Sequence, residues 1–250
     1  MKLTEEPAQS LAGLRTLERG LDVLDLFCHG SKKMTLSEIA AEIKLSPSTT
    51  SRLLNTLILR GYLSRDEETK KFGIGSQALR LTTSAFRTFD LRPLAVPVMR
   101  KLAEQYNESI TLYVIQNGYR VCIERIETTH ALRHVVNVGD RLPLARGAGG
   151  KALLAWLPES ELAATLLPGE TVSTADLAKI RKQGFALSMG ERDQGVGAIA
   201  APVFDADGRV MCALSLSAPI IRLNREAFEK IAPDIINSAN QISAALRNTK

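Results

Sequence analysis

Residues 35–65 read TLSEIAAEIKLSPSTTSRLLNTLILRGYLSR and contain two consecutive helix starts. Thr35 and Glu38 fit a capping box, in which each side chain binds a backbone N–H of the other residue. Ser46 fits an N-cap, and Pro47 suits the first helical position because an N–H there would have no partner. Two short amphipathic helices joined by a short break are typical of a helix-turn-helix.

The residues on either side of this stretch extend the pattern to a winged helix-turn-helix over residues 14–75. A polar tail is predicted for residues 1–13. Apolar residues at three- and four-residue steps then predict a first helix: Leu14, Leu17, Leu21, Leu24 and Phe27. After Gly61, two short strands around the polar tip at 66–71 predict a hairpin, which would be the wing.

The rest of the chain predicts a linker helix and a second, mixed domain. A helix at 76–89, with Leu79 and Phe86 on its apolar side, is interpreted as a linker or dimer element. Hairpins with helices between them then predict a GAF- or PAS-like α+β domain on an antiparallel sheet at 90–250. The predicted strands are 110–115, 120–126, 132–136, 198–204 and 210–217. The predicted helices after the one that ends near Tyr106 are 150–157, 159–166, 174–183 and 224–247.

Composition limits the class of protein. The 250 residues are 45% hydrophobic and 24% charged, which is ordinary for a globular chain. No apolar window of about 18 residues predicts a membrane span, and the N-terminus does not resemble a signal peptide. The three cysteines are widely separated, which fits a reducing cytoplasm better than a disulfide framework. The net charge of +5 is only a mild indication of a polyanionic partner.

The second helix of the helix-turn-helix carries the residues expected to contact double-stranded DNA. Such a helix places its N-terminal part in the major groove, where small hydroxyl residues allow close approach and arginine can bind guanine O6 and N7. The expected contacts on this helix are Ser46, Ser48, Thr49, Thr50, Ser51, Arg52 and Asn55. The expected phosphate contacts around it and on the wing are Lys44, Arg65, Lys70 and Lys71. The alternative is a helical subdomain that binds protein, in which the hydroxyl residues only cap the helix.

Two patterns in the second domain suggest a small-molecule site, each with a structural alternative. Residues 147–150 read GAGG and precede a predicted helix, so their backbone N–H groups could bind a carboxylate, or the glycines could only form a tight turn. Ser215 and Ser217 share one face of an apolar strand. Their hydroxyls require partners, which could be a ligand or the backbone.

Many ordered motifs across residues 16–246 resemble the IclR family of bacterial transcriptional regulators. They include TLERGL at 16–21, LSPSTTSRLL at 45–54, LPL at 142–144 and GGKALLA at 149–155. They continue with GF at 184–185, Glu191, GV at 195–196, AIAAPVFD at 198–205, SLS at 215–217 and Pro219. The resemblance implies a homodimer, often a dimer of dimers, whose second domain binds a small metabolite.

The resemblance also implies which residues contact the effector: Ala148, Gly149, Ser188, Ala198, Ser215 and Ser217. Ser188 and Ala198 stand where members that bind small oxoacids have an acidic residue and a cysteine, so a glyoxylate- or pyruvate-like effector is not implied. Arg146 is an added cation that could bind a carboxylate, or a surface charge.

The chain is therefore predicted to be a cytoplasmic, metabolite-responsive regulator of transcription, with no cofactor and no metal. A purely oligomerising second domain is the first alternative. An enzyme acting on the ligand is the second, and it is disfavoured because no acid, base and nucleophile converge in the candidate pocket. His130 and His134 lack the surrounding pattern of a zinc site.

Overall fold

The computed structural model describes residues 14–28, 33–81 and 91–248. The chain divides into two compact units, Met1–Phe89 and Asp90–Lys250. The predicted tail at 1–13 and the second half of the predicted linker helix, including Phe86, lie outside the described residues.

The first unit has the predicted winged helix-turn-helix architecture. Its elements are α1 (Arg15–Asp25), α2 (Leu36–Glu42), α3 (Pro47–Leu59), β1 (Leu63–Arg65), β2 (Phe72–Ile74) and α4, which is described over residues 76–81. The predicted capping box is present, because Glu38 N donates to Thr35 Oγ1 and Thr35 N donates to Glu38 Oε2. β1 and β2 pair as an antiparallel hairpin, so the wing is formed as expected.

The core of the first unit gathers apolar residues from α1, α2, α3, β1 and β2 and from the segments next to α1 and α2. Its buried members are Val23, Phe27, Met34, Ile39, Leu54, Leu63 and Phe72. The apolar face predicted for α1 is only partly used in this core. Leu17 and Leu21 remain more than half exposed, and Leu14 precedes the helix.

The second unit is built on one six-stranded antiparallel sheet with the strand order β5-β4-β3-β8-β7-β6. The strands are β3 (Ser109–Gln116), β4 (Tyr119–Ile126), β5 (Arg141–Pro143), β6 (Ala186–Met189), β7 (Val196–Phe204) and β8 (Val210–Pro219). The helices are α5 (Arg92–Tyr106), α6 (Ala148–Leu154), α7 (Glu159–Thr165), α8 (Thr174–Gln183) and α9 (Arg225–Arg247).

Alternation along the strands gives the sheet two buried faces. On β8, Leu214 and Leu216 pack in the cluster that contains residues of α5 and α9, whereas Ala213 packs with residues of α6 and α8. Because side chains alternate with a period of two, Ser215 and Ser217 lie on the face of Ala213. This places the two serines on the α6 side of the sheet, as their spacing predicts.

The sequence prediction was wrong at three strands of this unit. Residues 132–136 form no strand, and the short edge strands β5 and β6 were not predicted. The loop over residues 127–140 is instead held by side chains, because Arg125 donates to the carbonyl oxygens of His134 and Val136. The predicted Asn117-Gly118 turn is confirmed, and both residues have a positive φ. No helix in the described ranges is long and apolar enough to span a membrane.

Candidate functional sites

The start of α3 is organised by the hydroxyl of Ser46. Its Oγ accepts a hydrogen bond from Thr49 N at 3.3 Å and lies 3.0 Å from Ser48 Oγ and 2.9 Å from Thr49 Oγ1. Pro47 occupies the first turn. These local bonds fix the backbone and leave the outer face of the helix open.

Three polar residues form an exposed stripe along α3. Ser48, Arg52 and Asn55 are all exposed. Their spacing of four and three residues places them on one face of the helix. Thr49 and Ser51 are partly buried beside this stripe. The face could therefore offer a hydroxyl, a guanidinium and an amide to base edges.

Thr50 corrects one part of the sequence prediction. Its side chain is fully buried, and its hydroxyl donates to the carbonyl oxygen of Ser46 at 3.0 Å. It therefore cannot contact DNA in this structure. It lies two positions from Ser48 and Arg52, on the inward side of a helix with 3.6 residues per turn.

The expected phosphate-contacting residues differ in how firmly they are held. Lys44 is exposed in the turn between α2 and α3 and has a φ of 52°. Lys70 also has a positive φ and forms an ion pair with Glu67 at 3.1 Å. The guanidinium of Arg65 lies over the ring of Phe72. Lys71 is partly buried at the base of the wing.

The second unit contains a pocket between the sheet and the start of α6. About 360 Å³ of empty space, part of which is open solvent, lies within its lining. It is lined by Tyr113, Arg120, His134, Gly147, Ala148, Ser188, Arg192, Asp193, Val196, Ala198, Ser215 and Ser217. Five of the six residues that the family resemblance implied for effector contact are in this lining: Ala148, Ser188, Ala198, Ser215 and Ser217.

Serines from two strands form one side of the pocket, named here the serine wall (Ser188, Ser215 and Ser217). The register places Ala198 opposite both Ser188 and Ser217, so these residues form a row across β6, β7 and β8. Ser215 donates to the carbonyl oxygen of Ile199 at 3.1 Å, so the backbone alternative holds for this residue. Ser188 and Ser217 also line the pocket, and of the three serines only Ser215 makes a side-chain hydrogen bond within the described part of the chain.

Arg120 is the unusual residue of the pocket. It is 5% exposed, and its guanidinium lies 4.8 Å from the centroid of the Tyr113 ring. Among the described residues, Nε has no hydrogen-bond partner and no carboxylate forms an ion pair with the guanidinium. Burial lowers the pKa of Arg120, and the charge of Arg192 lowers it further, whereas Tyr113, Asp193 and Glu191 act in the opposite direction. Arg125, on the same strand, donates instead to Val136 O and pairs with Glu127.

Arg192 forms the second cationic group, and with Arg120 it makes up what is named here the arginine wall. One side of its guanidinium contacts Asp193 and His134. Its Nη1 atom is buried and has no partner in the described ranges. Burial and the charge of Arg192 lower the pKa of His134 to about 4, so the imidazole is neutral at pH 7.

The sequence analysis proposed that the backbone N–H groups of the turn before α6 could bind a ligand carboxylate, but a carboxylate of the protein binds one of them. The N–H of Gly147 donates to Glu191 Oε2 at 3.2 Å, and Glu191 also pairs with Lys151. Gly149 does not line the pocket, because it packs against Tyr113 and Arg120. Arg146 is exposed and lies outside the pocket lining, so the expectation that it binds the carboxylate is not supported.

Sequence reasoning missed the whole arginine wall and Tyr113 as pocket residues. A sequence signal existed for Arg120, since it precedes the buried residues Val121, Cys122 and Ile123 on a predicted strand. A basic residue within an apolar strand requires an anionic partner or access to solvent. Arg192 lies in a polar turn and carried no comparable signal.

The geometry defines a class of protein: a helix-turn-helix domain joined in sequence to an α+β domain that contains a polar pocket. Such a combination is typical of ligand-responsive regulators of transcription. No cluster of three metal-ligating side chains occurs in the described residues.

Comparison with known proteins identifies the family. The model for the C-terminal domain of bacterial IclR transcriptional regulators matches residues 83–244, and the model for the IclR helix-turn-helix domain matches residues 16–67. The chain therefore belongs to the IclR family of DNA-binding transcriptional regulators.

Curated relatives agree with this assignment. The chain is 31% identical to the HTH-type transcriptional regulator BhcR of Paracoccus denitrificans, over 97% of this chain and 91% of the relative. It is also 31% identical to the HTH-type transcriptional regulator XynR of Escherichia coli, over 93% of this chain and 97% of the relative. Both relatives are named as regulators of transcription.

Solved structures share the architecture. The IclR structure from Thermotoga maritima covers 94% of this chain and 99% of its own, with a TM-score of 0.78 and 24% identity, and it supports the fold. An IclR homologue from Microbacterium hydrocarbonoxydans, complexed with 4-hydroxybenzoate, covers 94% of this chain and 100% of its own. Its TM-score is 0.77 and its identity 26%.

Proposed function

We propose that this regulator binds operator DNA through α3 and the wing, and that a small carboxylate bound in the pocket changes its operator affinity. The observation that carries the effector assignment is the buried guanidinium of Arg120, which forms no ion pair with a described carboxylate and whose Nε has no hydrogen-bond partner in the described residues.

A buried, unpaired charge is energetically costly, on the order of several kcal/mol. A bound carboxylate would remove this cost by forming charge-assisted hydrogen bonds with the guanidinium. The 4-hydroxybenzoate complex of the Microbacterium homologue supports this assignment, because that ligand is also a small carboxylate.

At the DNA, Arg52 and Asn55 are the proposed base-reading residues, because they are exposed on the same face of α3. Ser46, Ser48, Thr49 and Ser51 surround the positive end of the helix dipole, which favours phosphate. The proposed phosphate contacts of the turn and wing are Lys44, Arg65, Lys70 and Lys71. Thr50 is left out because it is buried.

We infer that the functional form is a homodimer or a dimer of dimers. The apolar face of α1 supports this inference, since Leu14, Leu17 and Leu21 are each more than half exposed. A helix-turn-helix dimer would read two half-sites about one helical turn apart. The cytoplasm is the expected location, where the unpaired Cys28, Cys122 and Cys212 would remain reduced.

The test begins with selection of operator sequences from a random duplex library by the full-length protein. Fluorescence anisotropy then measures operator affinity at fixed salt, with and without 2-oxoacids, dicarboxylates, hydroxybenzoates and sugar acids. We expect one class of acid to change the affinity at least fivefold, within the usual range of allosteric coupling. Intact operator binding that no acid changes would contradict the effector assignment and favour a purely oligomerising second domain.

A matched pair of variants tests the DNA-binding assignment. Arg52→Ala should reduce discrimination between the selected operator and random DNA by roughly tenfold or more, because a bidentate guanine contact would be lost. Arg60→Ala, at the exposed C-terminal end of α3, should leave that discrimination unchanged. Equal effects of the two substitutions would rule out Arg52 as a base-reading residue.

A further inference from the structure

We propose that the pocket orients its effector. A monocarboxylate would bind with its charged end on the arginine wall, and hydroxyl or carbonyl oxygens at its other end would meet the serine wall. This inference rests on the proposed function, because it requires that the pocket bind an acid.

The charge of the lining limits the effector to one carboxylate. Arg120 and Arg192 contribute two positive charges, and Asp193 contributes one negative charge. His134 is neutral at pH 7, since burial and Arg192 lower its pKa to about 4. The lining is therefore one negative charge short of balance. A dicarboxylate would leave an excess negative charge in a site largely withdrawn from water.

The free hydrogen-bond donors indicate where this carboxylate would lie. Nε of Arg120 and Nη1 of Arg192 are both buried and have no partner in the described residues. The two guanidinium groups also repel one another, and the charge of Arg192 contributes to the lowered pKa of Arg120. Both arginines line the pocket, so the negative charge of a carboxylate bound there would offset their repulsion.

The serine wall is suited to uncharged oxygens. Ser188 and Ser217 flank Ala198, and their hydroxyls make no hydrogen bond in the described part of the chain. Ser109 lies opposite Ser217 in the register, and its Oγ is also buried and unpartnered in that part. Hydroxyl groups can both donate to and accept from a hydroxyl of the ligand. No charged side chain belongs to this row of serines.

The opposite orientation is less favourable. It would place the carboxylate against the serines or the backbone before α6, where the N–H of Gly147 already donates to Glu191. It would also leave the guanidinium of Arg120 buried without an ion pair. The arginine wall is therefore the better site for the charge.

Titration calorimetry of the full-length protein with matched probes tests the orientation. Each of three carbon frames supplies a hydroxylated monocarboxylate, its dicarboxylate, its deoxy acid and its uncharged counterpart. The frames are glycerate with tartronate, propionate and glycerol; erythronate with tartrate, butyrate and erythritol; and 4-hydroxybenzoate with terephthalate, benzoate and phenol. In the frame that fits, we expect the hydroxylated monocarboxylate to bind at least tenfold more tightly than the other three.

Variants then show which wall of the pocket binds each end of the probe. Arg120→Gln should weaken the binding of the hydroxylated acid and of the deoxy acid by similar factors of at least ten. Ser217→Ala should weaken the binding of the hydroxylated acid several-fold and leave the affinity for the deoxy acid unchanged. Arg146→Gln is the matched control and should change neither affinity, because this arginine is exposed outside the pocket. Thermal unfolding of each variant without ligand verifies that it is folded.

Two patterns of binding within the panel would overturn the orientation and still leave the proposed function intact. One is tightest binding by a dicarboxylate. The other is a loss of deoxy-acid binding in Ser217→Ala as large as that in Arg120→Gln, which would place the carboxylate on the serines. Failure of every acid in this panel, with another class of acid binding and changing operator affinity, would also overturn only the orientation. Failure of all acids in both experiments would overturn both proposals.

Discussion

A Cβ atom on Gly147 would lie 2.9 Å from Nη2 of Arg120. The guanidinium of Arg120 thus occupies the space that a side chain on Gly147 would need. Gly147 also has a φ of 84° and a ψ of 159°, a conformation that only glycine adopts readily. The turn before α6 therefore depends on glycine both for its backbone and for its contact with the pocket.

We expect Gly147→Ala to displace Arg120 and abolish effector binding. Gly139→Ala is the matched control, since Gly139 also has a positive φ but nothing lies within 4 Å of its Cβ position. Both substitutions should reduce the free energy of unfolding by about 1–3 kcal/mol through backbone strain. Calorimetry with a bound acid should detect a loss only in Gly147→Ala. A similar loss of acid binding in both variants would show that displacement of Arg120 does not cause the loss.

Arg120→Met is expected to stabilise the ligand-free protein while abolishing acid binding. Replacing a buried, unpaired charge by an apolar side chain should raise the free energy of unfolding by about 1–3 kcal/mol, less the lost contact with Tyr113. Arg125→Met on the same strand should instead destabilise it, because Arg125 has partners in Val136 and Glu127. Urea denaturation of both variants measures the difference. A large loss of stability in Arg120→Met would assign this residue a structural role.

His134 should make the protein less stable as the pH falls. Its folded-state pKa of about 4 lies below the unfolded value of 6.5, so the folded state binds the proton less readily than the unfolded chain. The stabilisation is complete above pH 6.5 and is lost as the pH falls toward 4, by on the order of 2–3 kcal/mol.

His134→Gln isolates this contribution from that of the carboxylates. The free energy of unfolding at pH 7 minus that at pH 5 should be smaller in the variant than in the wild type, as measured by urea denaturation at both pH values. His130→Gln is the control and should keep the wild-type difference. An unchanged difference in His134→Gln would show that its burial is not coupled to folding.

Lys44→Gly should raise stability and lower operator affinity. Lysine at a φ of 52° is strained, and glycine would remove this strain for a net gain of about 0.5–1 kcal/mol. Loss of a phosphate contact should reduce the slope of log affinity against log salt by about one. Lys70→Gly is the comparison variant for Lys44→Gly. Lys70 also has a positive φ, but its side chain forms an ion pair with Glu67. A salt slope unaffected by Lys44→Gly would remove Lys44 from the phosphate contacts.

The exposed face of α1 predicts self-association. Leu17→Lys combined with Leu21→Lys should lower the molar mass measured by sedimentation velocity, because two charges would enter an apolar contact. Leu59→Lys changes a leucine that is 85% exposed on α3 and should leave the mass unchanged. An unchanged mass in the α1 variant would place the oligomer contact elsewhere.

Local signals were sufficient to predict the first unit and much of the sheet. The capping residues Thr35 and Ser46 fix helix starts through bonds to nearby backbone, so their effect is visible in a few residues of sequence. The alternation of Ser215 and Ser217 likewise identified their common face. The prediction for Thr50 was wrong because the side chains of α3 that are exposed depend on how the helix is rotated about its axis against the core.

The arginine wall could not be predicted because its members meet only through the tertiary structure. Arg120 approaches Gly147 and Gly149 across 27 and 29 positions of sequence, through the packing of α6 on the sheet. The incorrect strand at 132–136 has a related cause. Its apolar residues fit a strand pattern, but the loop is fixed by Arg125 and by the contact of His134 with Arg192 and Asp193.

The sheet of the second unit ends on both sides in short strands, with three residues in β5 and four in β6. β5 also carries Arg141, which is exposed, and Pro143, which lacks an N–H to donate. Short, charged or proline-containing edges resist the addition of a further strand. The protein should therefore withstand high concentration without edge-to-edge aggregation, so that contacts between copies of this unit would form through helices and loops.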